Sequence, residues 1–295
     1  MLFSAPAVAS PLMSVGLGLV AATTWGGSDY AGGIGARRSP ALLVVASGHL
    51  VTLVILLAIC LAGGIPISHR TEFLEAALGG LEGSLALGLF YRSLAMGAMG
   101  LTAALTGLLT ALVPVLYGLW SEGFPAPLAI AGLLLGILAI WLIAHSPRLD
   151  KTRHATPARA LVYGAISGVG FGLQLILFKL SSGGGVLWAL TAARIGGVLG
   201  LGAVLLFSWP RDWENRPVWT GFWRIGIVAG ALDTVGNVGY TVAAHNGRLD
   251  LAAIVSSLYP GFTILLAAML LRERPSRRQT LGMAVALASV VLLSL

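Results

Sequence analysis

Residues 127–145 read PLAIAGLLLGILAIWLIAH, and residues 146–159 continue as SPRLDKTRHATPAR. The first stretch is apolar almost throughout, and about 20 apolar residues are enough for one helix to cross a bilayer. The second stretch is polar and basic and contains Pro147 and Pro157. Together they predict a membrane-spanning helix that ends in a surface loop near the middle of the chain.

The composition of the whole chain indicates that its solvent is lipid. Of the 295 residues, 57% are hydrophobic and 10% are charged, whereas a soluble domain has about 25% charged residues. The mean hydropathy is +0.91. The net charge of +7 does not indicate a nucleic-acid binder, because the basic residues lie in short gaps between apolar runs, as topology signals do.

Ten apolar runs are long enough to be spanning helices, and they are too long and too uniform for barrel strands. They cover residues 12–34, 40–62, 72–95, 99–120, 127–145, 159–180, 186–208, 221–244, 251–271 and 277–294. We therefore predict an all-α polytopic membrane protein with a first five-helix unit (1–145), a polar linker (146–158) and a second five-helix unit (159–295). Pro114 and Pro260 are predicted to kink the fourth and ninth spans.

The two units carry related short motifs. Leu81-Glu82-Gly83 corresponds to Leu232-Asp233-Thr234 at an offset of 151 residues, and Glu122 of the loop Ser121–Pro125 corresponds to Glu273 of the loop Arg272–Pro275 at the same offset. Trp25–Ser28 corresponds to Phe171–Gln174 at an offset of 146. Because each unit has an odd number of spans, the repeats are expected to be inverted around a central cavity.

The distribution of basic residues gives a prediction of orientation. The odd-numbered loops hold thirteen Lys and Arg residues and the even-numbered loops hold three. Taken alone, the positive-inside rule favours odd loops in the cytoplasm and both termini outside, but the sequence as a whole leaves open which face is cytoplasmic.

Several of these motifs resemble the EamA-type members of the drug/metabolite transporter superfamily. The resemblance rests on Trp25–Ser28, on Ala192–Arg194, on Leu271–Pro275 and on the closing apolar helix 277–294. It implies a basket of ten helices and the export or exchange of small metabolites, amino acids or drugs without nucleotide hydrolysis. The first-unit loop SEGFP keeps the glutamate but lacks the flanking basic residues, and the family does not name one substrate.

Glu82 and Asp233 are the first candidates for chemistry, because ionisable groups in a bilayer usually face the bundle interior or water. They are expected to line the cavity and to bind a proton or a cationic group; the alternative is a structural carboxyl bonded to a neighbouring helix. Asn237 and Tyr240 lie on the same helical face as Asp233 and suit either a cavity wall or helix–helix hydrogen bonding. Arg194 is expected to pair with Asp233 or Glu82, or to extend towards an interface.

Four residues, taken from the first helices of the two units, complete the predicted substrate and proton site. Asp29 suits the cavity or its rim. Ser28 and Gln174 are repeat partners that could hydrogen-bond a substrate or another helix. Trp25 could stack on a substrate or pack in the bundle.

No Walker A, HExxH or GxSxG motif and no metal-ligand cluster occurs in the sequence. We therefore predict no cofactor, no metal and no enzymatic activity, although two carboxylates would also suit an intramembrane enzyme acting on a lipid headgroup. A non-catalytic membrane scaffold is the third option. The predicted function is secondary transport by alternating access in the bacterial cytoplasmic membrane. The expected partners are a small-molecule substrate, with proton coupling as an option, and the lipid bilayer. No nucleic acid is expected to bind, and a monomer is one possible oligomeric state.

Overall fold

The computed structural model describes residues 11–96, 99–144, 158–207, 220–270 and 276–294. These ranges are helical and contain no β-strand. The helices are α1 (Pro11–Arg38), α2 (Ala41–Ala62), α3 (Arg70–Met96), α4 (Met99–Ser121), α5 (Pro127–Ala144), α6 (Ala158–Ser181), α7 (Val186–Phe207), α8 (Phe222–Asn246), α9 (Leu249–Ser256), α10 (Tyr259–Leu270) and α11 (Arg277–Ser294). A short 3₁₀ turn, Ser182–Gly184, separates α6 from α7.

Each of the ten predicted spans coincides with one helix, except the ninth, which is two. Helices α9 and α10 are separated at residues 257–258. Pro260 has no N–H, so the carbonyl of Ser256 loses the donor that a continuous helix would supply. The backbone N–H groups of Ser257 and Leu258 turn back to Ala253 and Val255 instead. The predicted kink is therefore a complete break of the helix.

The described helices have the lengths and surfaces of membrane spans. Six segments are long and apolar enough to cross a bilayer, and shorter apolar helices accompany them. Large apolar side chains such as Val54, Leu134 and Leu287 point away from the protein. The protein is therefore a multi-pass, all-α membrane protein.

Helices of the first unit pack mainly on helices of the second. Helix α1 packs along α8 and α6 packs along α3. Helix α2 contacts α8 and α7 contacts α3, while α4 contacts α6 and α1 contacts the broken pair α9–α10. If α9 and α10 are counted as one span, the chain has ten spans. Adding five to both span numbers of any of these contacts, and counting past ten from one again, gives another of them: the contact of spans 1 and 8 becomes the contact of spans 6 and 3. The two units thus interleave rather than form separate bodies.

Glycine allows the closest of these crossings. A methyl group on Gly48 of α2 would overlap the backbone of Gly226 on α8. On the other side, a methyl group on Gly80 of α3 would overlap the carbonyl of Ala193 on α7. Small residues let membrane helices approach until their backbones touch, and here they do so at both crossings.

Two contacts show that α1 and α8 run antiparallel. Ser14 near the start of α1 donates to the carbonyl of Ala243, at 3.3 Å, and Ser28 donates to the carbonyl of Ala229, at 2.9 Å. The backbone N–H of Leu249, just after α8, donates to Glu122 Oε2, at 3.1 Å. The start of α1 and the ends of α4 and α8 therefore share one membrane face, called here the Glu122 face. The opposite face, where α1 ends, is called the Arg38 face.

Three predicted loops lie largely outside the described residues. They are the linker 146–158, of which only Ala158 is described and begins α6, the tryptophan-rich loop 209–219, and residues 271–275 before α11.

Candidate functional site

A buried ion pair joins α7 and α8 in the middle of the bundle. Arg194 Nη2 lies 2.5 Å from Asp233 Oδ2, and their side chains are 5% and 17% exposed. The same guanidinium nitrogen donates to the hydroxyl of Thr234, at 2.8 Å. Arg194 is therefore held by two consecutive residues of α8, and Asp233 rather than Glu82 is its partner.

The polar chain continues from this pair to α1. Asn237 lies one turn after Asp233, so its amide nitrogen can reach back and donate to Asp233 Oδ2, at 3.1 Å. Its amide oxygen accepts a hydrogen bond from Trp25 Nε1, at 3.1 Å. One hydrogen-bonded chain thus ties α7, α8 and α1 together through Arg194, Asp233, Asn237 and Trp25.

A second polar group lies beside this chain, closer to the Arg38 face. The hydroxyl of Tyr91 on α3 donates to the carbonyl of Ser28, at 3.3 Å, and lies 3.3 Å from the Ser28 hydroxyl. Asp29 is buried at 7% exposure and interacts electrostatically with both Asp233 and Tyr91. Ser28 and Asp29 therefore belong to the same region as the ion pair.

A small recess, with about 10 Å³ of space and so room for about one water molecule, lies between α1, α2, α3 and α8. Its polar walls are Ser28, His49, Tyr91 and Asp233, and apolar side chains such as Val44 complete it. These residues come from the halves of α1, α2 and α8 that lie nearer the Arg38 face. Tyr91 was absent from the predicted site. His49, which the sequence suggests as either a proton relay or a core histidine, was not among its residues, because an isolated Tyr or His in an apolar run carries no signal that separates a site from the core.

The structure places Glu82 elsewhere. Its carboxylate lies in the contact between α3 and α6, where Oε1 faces Gly170. Its Oε2 is buried and makes no hydrogen bond within the described part of the chain. Gln174 lies in the same contact, against Gly83. The two acids that correspond in the repeat are thus not brought together.

Tyr240 is part of the packed interior. It is fully buried, and its hydroxyl donates to the carbonyl of Leu175 on α6, at 3.0 Å. Its ring centroid lies 5.9 Å from that of Trp25. Tyr240 therefore supports Trp25 from behind and is not among the residues that line the recess.

A charged network closes the Glu122 face. Glu122 Oε1 lies 3.6 Å from Lys179 Nζ, and Lys179 also donates to the carbonyls of Ala244 and Gly247. Arg248 donates to the carbonyls of Glu122 and Gly123, at 3.4 and 2.5 Å. These contacts join the end of α4 to the ends of α6 and α8, and so they connect the two units.

Asp250 anchors this network. Its side chain is fully buried and accepts two hydrogen bonds from Arg248, at 2.9 and 3.1 Å. These hydrogen bonds, together with the nearby negative charges of Asp250 and Glu122, raise the pKa of Arg248 above its ordinary value, so its positive charge is permanent.

Comparison with known proteins finds a family match in the second unit. Residues 158–295, from the start of α6 to the end of the chain, match the EamA-like transporter family. This half of the chain is an EamA-type unit. The match confirms the resemblance to the drug/metabolite transporter superfamily that the motifs indicate. The match indicates a membrane transporter of small molecules.

The fold, unlike the family match, extends through both units. Among 28 matching chains of solved structures, one titled only "Crystal structure of protein" aligns over 95% of both chains, with a TM-score of 0.71 and 16% identity. No curated protein matches the chain. The EamA-type unit and the unit before it therefore form one known architecture, and that likeness shows the fold alone.

Proposed function

We propose that the protein is a secondary transporter that moves small metabolites, amino acids or drugs across the bacterial cytoplasmic membrane by alternating access, as an exporter or exchanger. The observation that carries the proposal is the buried chain Arg194–Asp233–Asn237–Trp25. An ion pair in the middle of a membrane bundle is expensive to maintain and usually marks a substrate or ion pathway. Here it borders a recess between helices of both units.

The proposed architecture is a pair of inverted five-helix repeats. The reciprocal packing of α1 on α8 and α6 on α3 supports it, as do the matched glycine crossings at Gly48 and Gly80. In such repeats the substrate site lies between the units, and one unit rocks against the other to expose it to each side in turn.

The residues of the recess would bind the solute. As the solute enters, Arg194 and Asp233 would exchange part of their contact with each other for contacts with the solute. Asp29, Ser28, Asn237 and Trp25 would orient that pair. Gln174 and Tyr240 lie within packing contacts, and we assign them a supporting role. Glu82 is proposed to carry a proton, because its buried Oε2 has no hydrogen-bond donor among the described residues and a neutral carboxyl is favoured there.

The charged network at the Glu122 face is proposed as the closed gate. The residues that line the recess lie nearer the Arg38 face. At the opposite face, Glu122, Lys179 and Arg248 join the two units. Exposure of the site to the Glu122 face requires these contacts to separate.

A labelling experiment tests alternating access without knowledge of the substrate. Cys60 is the only cysteine and is replaced by serine, and Val45, which lines the recess, is replaced by cysteine. We expect a membrane-impermeant thiol reagent to label position 45 in proteoliposomes from the Arg38 face. When Glu122→Gln is added to weaken the gate, labelling from the Glu122 face should appear. Labelling that is confined to one face in both proteins would refute the mechanism.

Flux measurements test the site itself. Pooled labelled metabolites are offered to proteoliposomes, and Asp233→Asn is expected to abolish the protein-dependent uptake. Glu75→Gln is the matched control, because Glu75 is an acid of α3 near the Glu122 face and outside the site. Equal uptake by wild type and Asp233→Asn would remove Asp233 from the transport pathway.

A further inference from the structure

We propose that the membrane-surface end of the contact between α3 and α6, at the Arg38 face, binds the headgroup of an anionic phospholipid. The binding groups are the guanidinium groups of Arg92 on α3 and Arg159 on α6. Both residues are exposed and neither lines the recess, so the site does not depend on the proposed transport mechanism. Three features support it: the charge of this face, the geometry of the two arginines, and the lipid-facing surface beside them.

The described surface of the protein has its positive charge mainly on one face. At the Arg38 face, where α1 and α3 end and α6, α8 and α11 begin, seven arginines are exposed: Arg37, Arg38, Arg92, Arg159, Arg224, Arg277 and Arg278. No aspartate or glutamate of the described ranges lies at that surface. At the Glu122 face, the described basic and acidic residues are mixed: Arg70, Lys179 and Arg248 with Glu72, Glu75, Glu122 and Asp250. The Arg38 face therefore has the charge that attracts anionic headgroups.

Arg92 and Arg159 lie on either side of one aromatic residue, Tyr163. The guanidinium carbon of Arg92 lies 5.7 Å from the centroid of the Tyr163 ring, so the cation stacks on the ring across the α3–α6 contact. Arg159 lies one turn before Tyr163 on α6, and residues four apart share a helical face. One guanidinium is thus held by the ring, and a second lies one helical turn nearer the membrane surface. Guanidinium groups bind phosphate oxygens through paired N–H donors.

The surface of α6 beside Arg159 is suited to contact with acyl chains. Arg159 begins a stripe of exposed side chains that continues with Val162, Ile166 and Val169, which are 53%, 53% and 41% exposed. Steps of three and four residues keep this stripe on one face of the helix. A phospholipid whose chains lie along the stripe has its phosphate at the level of Arg159, because Arg159 is in the first turn of the span. This continuity favours a lipid over a dissolved anion.

Two lipids with identical chains test the role of charge. Dioleoylphosphatidylglycerol is anionic, whereas dioleoylphosphatidylcholine has no net charge. Each is added to the purified full-length chain in a neutral detergent, and binding is measured as the shift of the melting temperature with lipid concentration. We expect tighter binding of the anionic lipid at low salt and a smaller preference at 1 M salt, where the screening length is about 3 Å. Inorganic phosphate at the same concentrations is expected to give no shift.

Two variants locate the site. Arg92→Gln and Arg159→Gln should each weaken the binding of dioleoylphosphatidylglycerol about fivefold, since a basic residue at an anionic surface contributes about 1 kcal/mol. Neither should change the binding of dioleoylphosphatidylcholine. Arg70→Gln is the matched control and should bind as wild type does, because Arg70 is an exposed arginine at the start of α3, on the opposite face. Arg159 is exposed in the first turn of α6, so Arg159→Gln tests the site even where Arg92→Gln fails to fold.

The possible results separate a lipid site from a general effect of charge. Equal binding of the two lipids by the wild type would overturn the proposal, as would a shift with inorganic phosphate as large as that with the anionic lipid. A preference for the anionic lipid that Arg159→Gln leaves unchanged, or that Arg70→Gln reduces equally, would also overturn it, because the charge would then act without a site at the α3–α6 contact.

Discussion

The Arg194–Asp233 ion pair yields the most specific prediction, because its two partners can be removed singly and together. Arg194→Met keeps a long apolar side chain but leaves Asp233 with only Asn237 as a hydrogen-bond donor among the described residues. Removal of one partner of a buried ion pair costs about 3–5 kcal/mol, because the remaining charge stays buried without compensation. We expect this loss in the free energy of unfolding.

The double variant distinguishes the pair from two unrelated residues. Asp233→Leu alone leaves the guanidinium of Arg194 with the Thr234 hydroxyl and should be about as destabilising as Arg194→Met. Arg194→Met with Asp233→Leu buries no isolated charge and should be more stable than the sum of the two losses predicts. The coupling between contacting residues of this kind is about 0.5–3 kcal/mol, and we expect a value near the upper end.

The measurement is reversible unfolding in mixed micelles, followed by the far-UV helix signal. Arg194→Lys serves as the conservative variant, since it keeps the charge but lacks the planar fork that contacts Asp233 and Thr234 together. Arg277→Met is the control, because Arg277 is exposed at the start of α11 and should change stability by no more than about 0.5 kcal/mol. Additive losses in the double variant would refute the claim that the two charges stabilise each other.

Three further predictions concern the gate, the helix crossings and the orientation. Glu122→Gln removes the charge facing Lys179 and should weaken the closed gate, which increases labelling at the recess. Adding Lys179→Gln should increase the labelling little further, because both residues form the same contact. A large additive increase would contradict that shared contact. Gly80→Val places a side chain against a backbone carbonyl of α7 and should abolish folded protein on size-exclusion chromatography, whereas Gly202→Val points into open space and should leave the yield unchanged. A cysteine added at the C-terminus should react with an impermeant reagent in intact cells, because the charge distribution places that end outside; reaction only after permeabilisation would reverse the orientation.

Much of the fold could be predicted because membrane spans have a strong local signal. A run of about 20 apolar residues has few alternatives in lipid, where each segment must satisfy its own backbone hydrogen bonds. The break at residues 257–258 was also visible in part, since Pro260 marks it. What Pro260 alone does not reveal is whether the helix bends or stops, because that depends on whether the next N–H groups turn back to earlier carbonyls, as they do at Ser257 and Leu258.

The site was less predictable because it depends on which helices touch. Arg194 had two possible acids at similar depth, and because α7 contacts the helices of both, only the side-chain geometry selects Asp233. The recess needs His49 and Tyr91, which come from α2 and α3 and stand alone in apolar runs. Hydrophobic periodicity indicates how a helix is oriented to lipid, but it contains no information on the hydrogen-bond partners of a single buried polar side chain.

The largest difference between sequence and structure concerns the two related acids. The short sequence match pairs Glu82 with Asp233, yet in the described part of the chain Arg194 forms its ion pair with Asp233 and not with Glu82. Asp233 is paired with Arg194 of α7, whereas Glu82 faces Gly170 of α6. An acid held by arginine can orient a ligand without losing its charge, while an acid with no donor is better suited to gain and release a proton.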